Sequence, residues 1–156
     1  MALFAAIVSA SAANLLSQSS YMIAHNHDNL IRLHVLANSD LPHDQELKLL
    51  VRDSLLPLLH TILEEQPEQH PDAVMAAVAG RQTSLVQKAA ETIKAAGRDY
   101  PVRVELGYEE YPGERKSSFL LPAGRYRTVK VIIGEGKGKN WWCILFPPLC
   151  LVEQAG

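Results

Sequence analysis

Cys143 and Cys150 are the only cysteines of the chain, and a thiol is the most nucleophilic group its composition offers. A catalytic Cys143 would need a histidine base and a polarising carboxylate. His34 and Asp40 are of the right types, although no spacing singles them out. A structural role competes with this one. The two cysteines are centred on Phe146-Pro147 and could face each other across a tight turn, as a disulfide of an exported domain, or Pro147-Pro148 could simply end a strand. The residues leave both readings open.

The run Gly134-Glu135-Gly136-Lys137-Gly138-Lys139-Asn140 carries glycine at three alternate positions beside two lysines. Left-handed backbone at Gly134, Gly136 and Gly138 could aim N–H groups at a phosphate. The spacing argues against a Walker loop: Ile133 stands where its first glycine belongs, Asn140 replaces Ser or Thr, and a strand follows where a helix should start. With strand patterns on both sides, the run is expected to be a hairpin loop. His25, His27 and Asp28 offer two or three metal donors, but no second cluster completes a four-donor site, so neither metal nor cofactor is expected. Arg32, His34, Asp40, Asp44, Arg52 and Asp53 permit many acid–base pairings without a spacing that selects one.

Elements must position these groups. Leu30 to Leu36 alternates, with Ile31, Leu33 and Val35 on one face and Arg32 and His34 on the other, which predicts a strand with one wet side. Asn38, Ser39 and Asp40 then supply acceptors for a helix start, Pro42 suits the first turn, and Asp44 and Glu46 complement the helix dipole. Leu47, Leu50, Val51, Leu55, Leu58, Leu59 and Ile62 mark the apolar side of that helix, with a kink or break expected at Pro57. After a proline-bearing loop, Val74, Ala77, Val78, Arg81, Leu85, Ala89 and Ile93 mark a second helix that contains Gly80 and is capped by Gly97.

From Pro101 the period becomes two. Val102, Val104 and Leu106, and later Val129, Val131 and Ile133, are the apolar rows of strands punctuated at Tyr111-Pro112-Gly113 and Pro122-Ala123-Gly124. Trp141 to Phe146 is apolar on both faces and holds both tryptophans. It fits either a partner-binding strand anchored by aromatics or a covered central strand. The order β-α-α-β-β-β predicts an α+β fold, a mainly antiparallel sheet of about four strands with two helices packed on one face.

Length and charge bound the rest. A chain of 156 residues suits one domain, here 29–152 with a short tail at 153–156. Fifteen basic against seventeen acidic residues give a charge of −2 without a block of one sign, which argues against nucleic acid as a partner. Residues 1–28 begin with an uncharged, largely apolar run that decays after about fifteen positions. This is short for a membrane span and is read as a signal-like segment, with a buried N-terminal helix as the alternative.

Ile31-Arg32-Leu33-His34-Val35-Leu36-Ala37-Asn38-Ser39-Asp40 followed by Asp44-Gln45, Leu47-Lys48 and Val51-Arg52-Asp53, then Pro122-Ala123-Gly124-Arg125-Tyr126, and the run from Gly134-Glu135-Gly136 through Asn140-Trp141-Trp142-Cys143 to Phe146-Pro147-Pro148-Leu149-Cys150 resemble the stage II sporulation protein R family. The resemblance covers about Leu30 to Cys150. It implies a protein made in the forespore and secreted into the intermembrane space, its N-terminal segment meeting the membrane during export. There it would activate a membrane-embedded aspartic protease of the mother cell that cleaves the sigma-E precursor. Such a protein is an activator and not an enzyme. The candidate partner-binding residues on this reading are Arg32, His34, Asn38, Asp40, Arg125, Tyr126, Glu135, Asn140, Trp141 and Trp142. An exported hydrolase using Cys143 and His34 is the competing function, and an envelope structural protein a third.

Overall fold

The computed structural model describes residues 28–68, 70–116 and 119–150. The signal-like segment, His25 and His27, and the tail lie outside the described residues. In chain order the elements are β1 (Ile31–Leu36), α1 (Pro42–Glu64), α2 (Pro71–Gly80), α3 (Gln82–Ala95), β2 (Val102–Tyr111), β3 (Glu114–Lys116), β4 (Phe119–Leu121), β5 (Gly124–Ile133) and β6 (Asn140–Phe146). The four long strands form one sheet in the order β2-β5-β1-β6, and β3 and β4 pair as a separate hairpin. β1 runs parallel to β5, while β1–β6 and β2–β5 are antiparallel, so the sheet is mixed but mainly antiparallel, and the fold is α+β.

Three apolar rows meet the helices: Ile31, Leu33 and Val35 from β1, Val129, Val131 and Ile133 from β5, and Cys143 and Leu145 from β6. Against them pack Leu47, Val51, Leu55, Leu59 and Ile62 of α1, Val74 and Val78 of α2, and Leu85, Ala89 and Ile93 of α3. Burial of these branched side chains, at about 1.5–3 kcal/mol each, is the main force holding the layers together.

Four expectations are corrected. Arg32 and His34 do not face water: both are buried, so β1 is a central strand covered on its two sides. The helix start is not capped by a side chain. Leu41 is the N-cap, with Pro42 in the first turn, because Asn38 and Ser39 are engaged with Asp44 instead. α1 continues unbroken through Pro57 for 23 residues. The missing N–H deprives only the carbonyl of the exposed Asp53, while Leu55, Leu56 and Leu59 hold the helix to the core on the other side. The next helical stretch divides in two, since helix α2 ends at Gly80 and the exposed Arg81 adopts a non-helical φ of −110° and ψ of 10°. The two apolar rows are anchored separately, Val74 and Val78 before the break and Leu85, Ala89 and Ile93 after it.

Gly97 closes α3 as expected. At φ +75° it donates to the Lys94 carbonyl while Arg98 donates to Ile93, the paired bonds of a Schellman cap.

Candidate functional site

The connection from β5 to β6 is not a hairpin. β1 lies between those strands, so residues 134–139 cross over its end and lie against Ala37–Asp40. Gly138 N–H donates to the Ala37 carbonyl (2.9 Å) and Lys137 N–H to that of Asn38 (3.2 Å). Side chains complete the clasp: Glu135 N–H donates to Asn38 Oδ1 (3.0 Å) and Lys139 N–H to Asp40 Oδ1 (2.7 Å). A β-carbon on Gly138 would overlap the Ser39 carbonyl, and one on Gly134 would overlap the Asn38 side chain. These glycines permit backbone contact, and their N–H groups are taken up within the chain.

Asp44 is the anchor beneath the clasp. Its Oδ2 accepts from Asn38 Nδ2 (2.9 Å) and Ser39 Oγ (2.6 Å), and it is buried. Burial alone would raise its pKa, but the hydrogen bonds from Ser39, Asn38 and Tyr100 outweigh it, and the net shift is downward. Lys48, also buried, donates to Gln45 Oε1 (2.6 Å) and to the Lys139 carbonyl (3.0 Å), tying α1 to the same loop.

The sheet face turned away from the helices carries a second constellation. Successive residues of a strand alternate between faces, so Arg32 and His34 of β1 share this side with Tyr126, Thr128 and Lys130 of β5, Glu109 and Tyr111 of β2, and Asn140 and Trp142 of β6. The Arg32 guanidinium carbon stands 3.8 Å from the Tyr111 ring centroid, 4.5 Å from Trp142 and 5.8 Å from Tyr126. Tyr111 meets both other rings edge-on, at 5.9 and 6.0 Å. A buried cation is thus housed in an aromatic box whose electron-rich surfaces offset part of its lost hydration. Beside it, His34 Nδ1 lies 2.8 Å from the side-chain amide of Asn140. Desolvation, reinforced by the charge of Arg32, lowers the His34 pKa to about 4 despite the opposing pull of Glu109. Glu109 is itself paired with Lys130.

Of the predicted partner-binding residues, this face gathers Arg32, His34, Tyr126, Asn140 and Trp142. The clasp gathers Asn38, Asp40 and Glu135. Trp141 points the other way, against the helical core, with the Arg52 guanidinium 4.9 Å from its ring. Arg125 stands apart on the Tyr108 ring, 4.9 Å from its centroid. Sequence reasoning missed Glu109, Tyr111, Thr128 and Lys130 on the polar face and Ser39, Asp44 and Lys48 in the clasp as site residues. The alternation of Thr128 and Lys130 with the core row of β5 was the one available signal for the first group.

Cys143 and Cys150 form a disulfide with Cα atoms 5.3 Å apart, closing the turn through Phe146-Pro147. In register Cys143 opposes Leu33 on the helical face, whereas His34 opposes Trp142 on the other. A thiol–imidazole pair is therefore not assembled, and the hydrolase reading is set aside. β6 is an edge strand among the described residues, with Trp142 half-buried against Arg32, which corrects the covered central strand considered above. No group of three metal-binding side chains occurs among the described residues. None of their helices is long and apolar enough to cross a membrane.

With the clasp and the aromatic box in place, the motifs of β1, β5 and β6 converge on one structural unit. Residues 27–156 match the family model for stage II sporulation protein R, and the chain belongs to that family. The "Stage II sporulation protein R" of Bacillus subtilis (strain 168) is 31% identical over 126 residues, which cover 81% of this chain and 55% of that protein. The chain thus spans about half the length of the relative it matches. No solved structure matches it.

Proposed function

We propose that this protein is an exported sporulation signal that switches on a membrane-embedded aspartic protease of the mother cell, leading to cleavage of the sigma-E precursor. Membership of the stage II sporulation protein R family carries the reading. The Cys143–Cys150 disulfide supports it, because such bonds persist in oxidising, extracytoplasmic surroundings. Separation of Cys143 from His34 by the thickness of the sheet also favours a binding role over thiol catalysis. On this reading the protein acts as a ligand, and the half-buried Trp142 and the exposed Asn140 at the rim of the aromatic box are among the groups a partner can reach.

The test is co-expression in a non-sporulating host of this chain, targeted for export, with the protease and the sigma-E precursor. Cleavage should require all three. Precursor left intact when all three are produced and correctly located overturns the proposal.

A further inference from the structure

The helical core ends at Leu106 on β2 and Val129 on β5, but both strands continue as a paired ribbon to Tyr111 and Gly124. The next positions on that side of the ribbon are Tyr108, Arg127 and Arg125, where apolar residues would be expected if the core went on. Tyr108 is 51% exposed. Arg127 lies 5.7 Å from its ring and is fixed, donating to Asp72 Oδ1 (2.8 Å) and to the Asp28 carbonyl (2.6 Å). Arg125 is different. It is exposed, and its guanidinium lies over the Tyr108 ring. Among the described residues it makes no ion pair, not even with Glu110, its partner in register.

We propose that Tyr108 and Arg125 form a docking platform for an acidic segment of a partner protein. The proposal rests on the reading of this chain as a protein ligand and names the chemistry of one contact. Tyrosine and arginine are, with tryptophan, the side chains enriched among the energetic anchors of interfaces. The platform is stiff, because it sits on two ten-residue strands in continuous register and its second cation is already neutralised by Asp72. Arg125 thus offers an uncommitted guanidinium, spread over an aromatic ring, to an incoming carboxylate, with the exposed face of Tyr108 beside it for the apolar part of the same segment. The exposed Glu110 carboxylate, opposite Arg125 in register, sets the position of the incoming segment, since it repels a carboxylate placed one position too far along the ribbon.

Two measurements test this. In the co-expression assay, Arg125→Glu and Tyr108→Ala should each lower precursor cleavage at least tenfold and Arg125→Lys less, while Arg103→Glu on the same sheet leaves cleavage unchanged, all four variants keeping the wild-type melting temperature within a few degrees. Wild-type cleavage by Arg125→Glu overturns the platform. If the wild-type protein gives no cleavage, the proposed function falls, and an NMR titration with a hexaglutamate peptide still decides the platform. Amide shifts over Gly107–Tyr111 and Gly124–Thr128 that vanish in Arg125→Glu support it. Shifts confined to Lys137–Lys139, or none, sink it.

Discussion

At Gly138 the loop after β5 approaches the Ser39 carbonyl so closely that a β-carbon there would overlap it. Gly138→Ala must push the two segments apart and strain the Gly138-to-Ala37 hydrogen bond. We expect a loss of about 2–3 kcal/mol in urea unfolding, the range of overpacking in a tight contact. Gly80→Ala, at a position with open space around it, should cost nothing or stabilise slightly.

Removing the cation from the aromatic box tests what it contributes. Arg32→Met keeps much of the stem and loses the interaction with Tyr111 and Trp142, so a destabilisation of about 1–3 kcal/mol is expected. Because Trp142 is one of only two tryptophans, its emission should shift in the same variant. Unchanged fluorescence and stability would show that the box does not depend on the charge.

Acid should weaken the fold through His34. Its pKa of about 4 in the folded protein lies below the ordinary 6.5, so the unfolded chain binds more protons between those values, and stability falls as pH drops from about 6.5 to 4. Complete titration corresponds to roughly 3 kcal/mol. Asp44, whose pKa is lowered, adds a loss that begins only at carboxylate pH. Melting temperatures between pH 7.5 and 4.5 should decline in the wild-type protein and much less in His34→Gln. Equal slopes would assign the decline to other groups.

Reducing the disulfide removes a constraint on a short loop. A crosslink between residues seven apart is worth about 2–3 kcal/mol by loop-closure entropy. The Cys143→Ser, Cys150→Ser double variant should unfold at correspondingly lower urea but, at a temperature where it is folded, still support precursor cleavage. Loss of cleavage by the folded double variant would reopen a role for the thiol.

The strands were legible because alternation is a direct imprint of a pleated backbone. Ile31, Leu33 and Val35, or Val129, Val131 and Ile133, need no tertiary information to share a face. Gly97 was legible for a similar reason, since its left-handed φ serves a local cap. Alternation cannot say whether a second face is covered, which is why Arg32 and His34 were expected in water. Pairing was hidden too. Neighbours in sequence usually pair in space, and the segment 134–140 carries every mark of a hairpin, yet β1 occupies the place between its flanking strands. The motifs around Arg32, Tyr126, Asn140 and Trp142 drew attention to the right face, whereas Glu109 and Tyr111 joined it only through the register of β2 with β5.

The seat of β1 between β5 and β6 governs the timing of folding. The earliest strand among the described residues finds its two neighbours roughly a hundred residues later, and these are the last strands among those residues. Contacts of such long separation form slowly, because a large loop must close before any of them is rewarded. Until 124–146 has emerged, Leu33 and Val35 have no sheet to join, and both backbone edges of β1 stay open to water, to a chaperone or to an unintended strand. The clasp of 134–139 over Ala37–Asp40 can close only after β5 has been made.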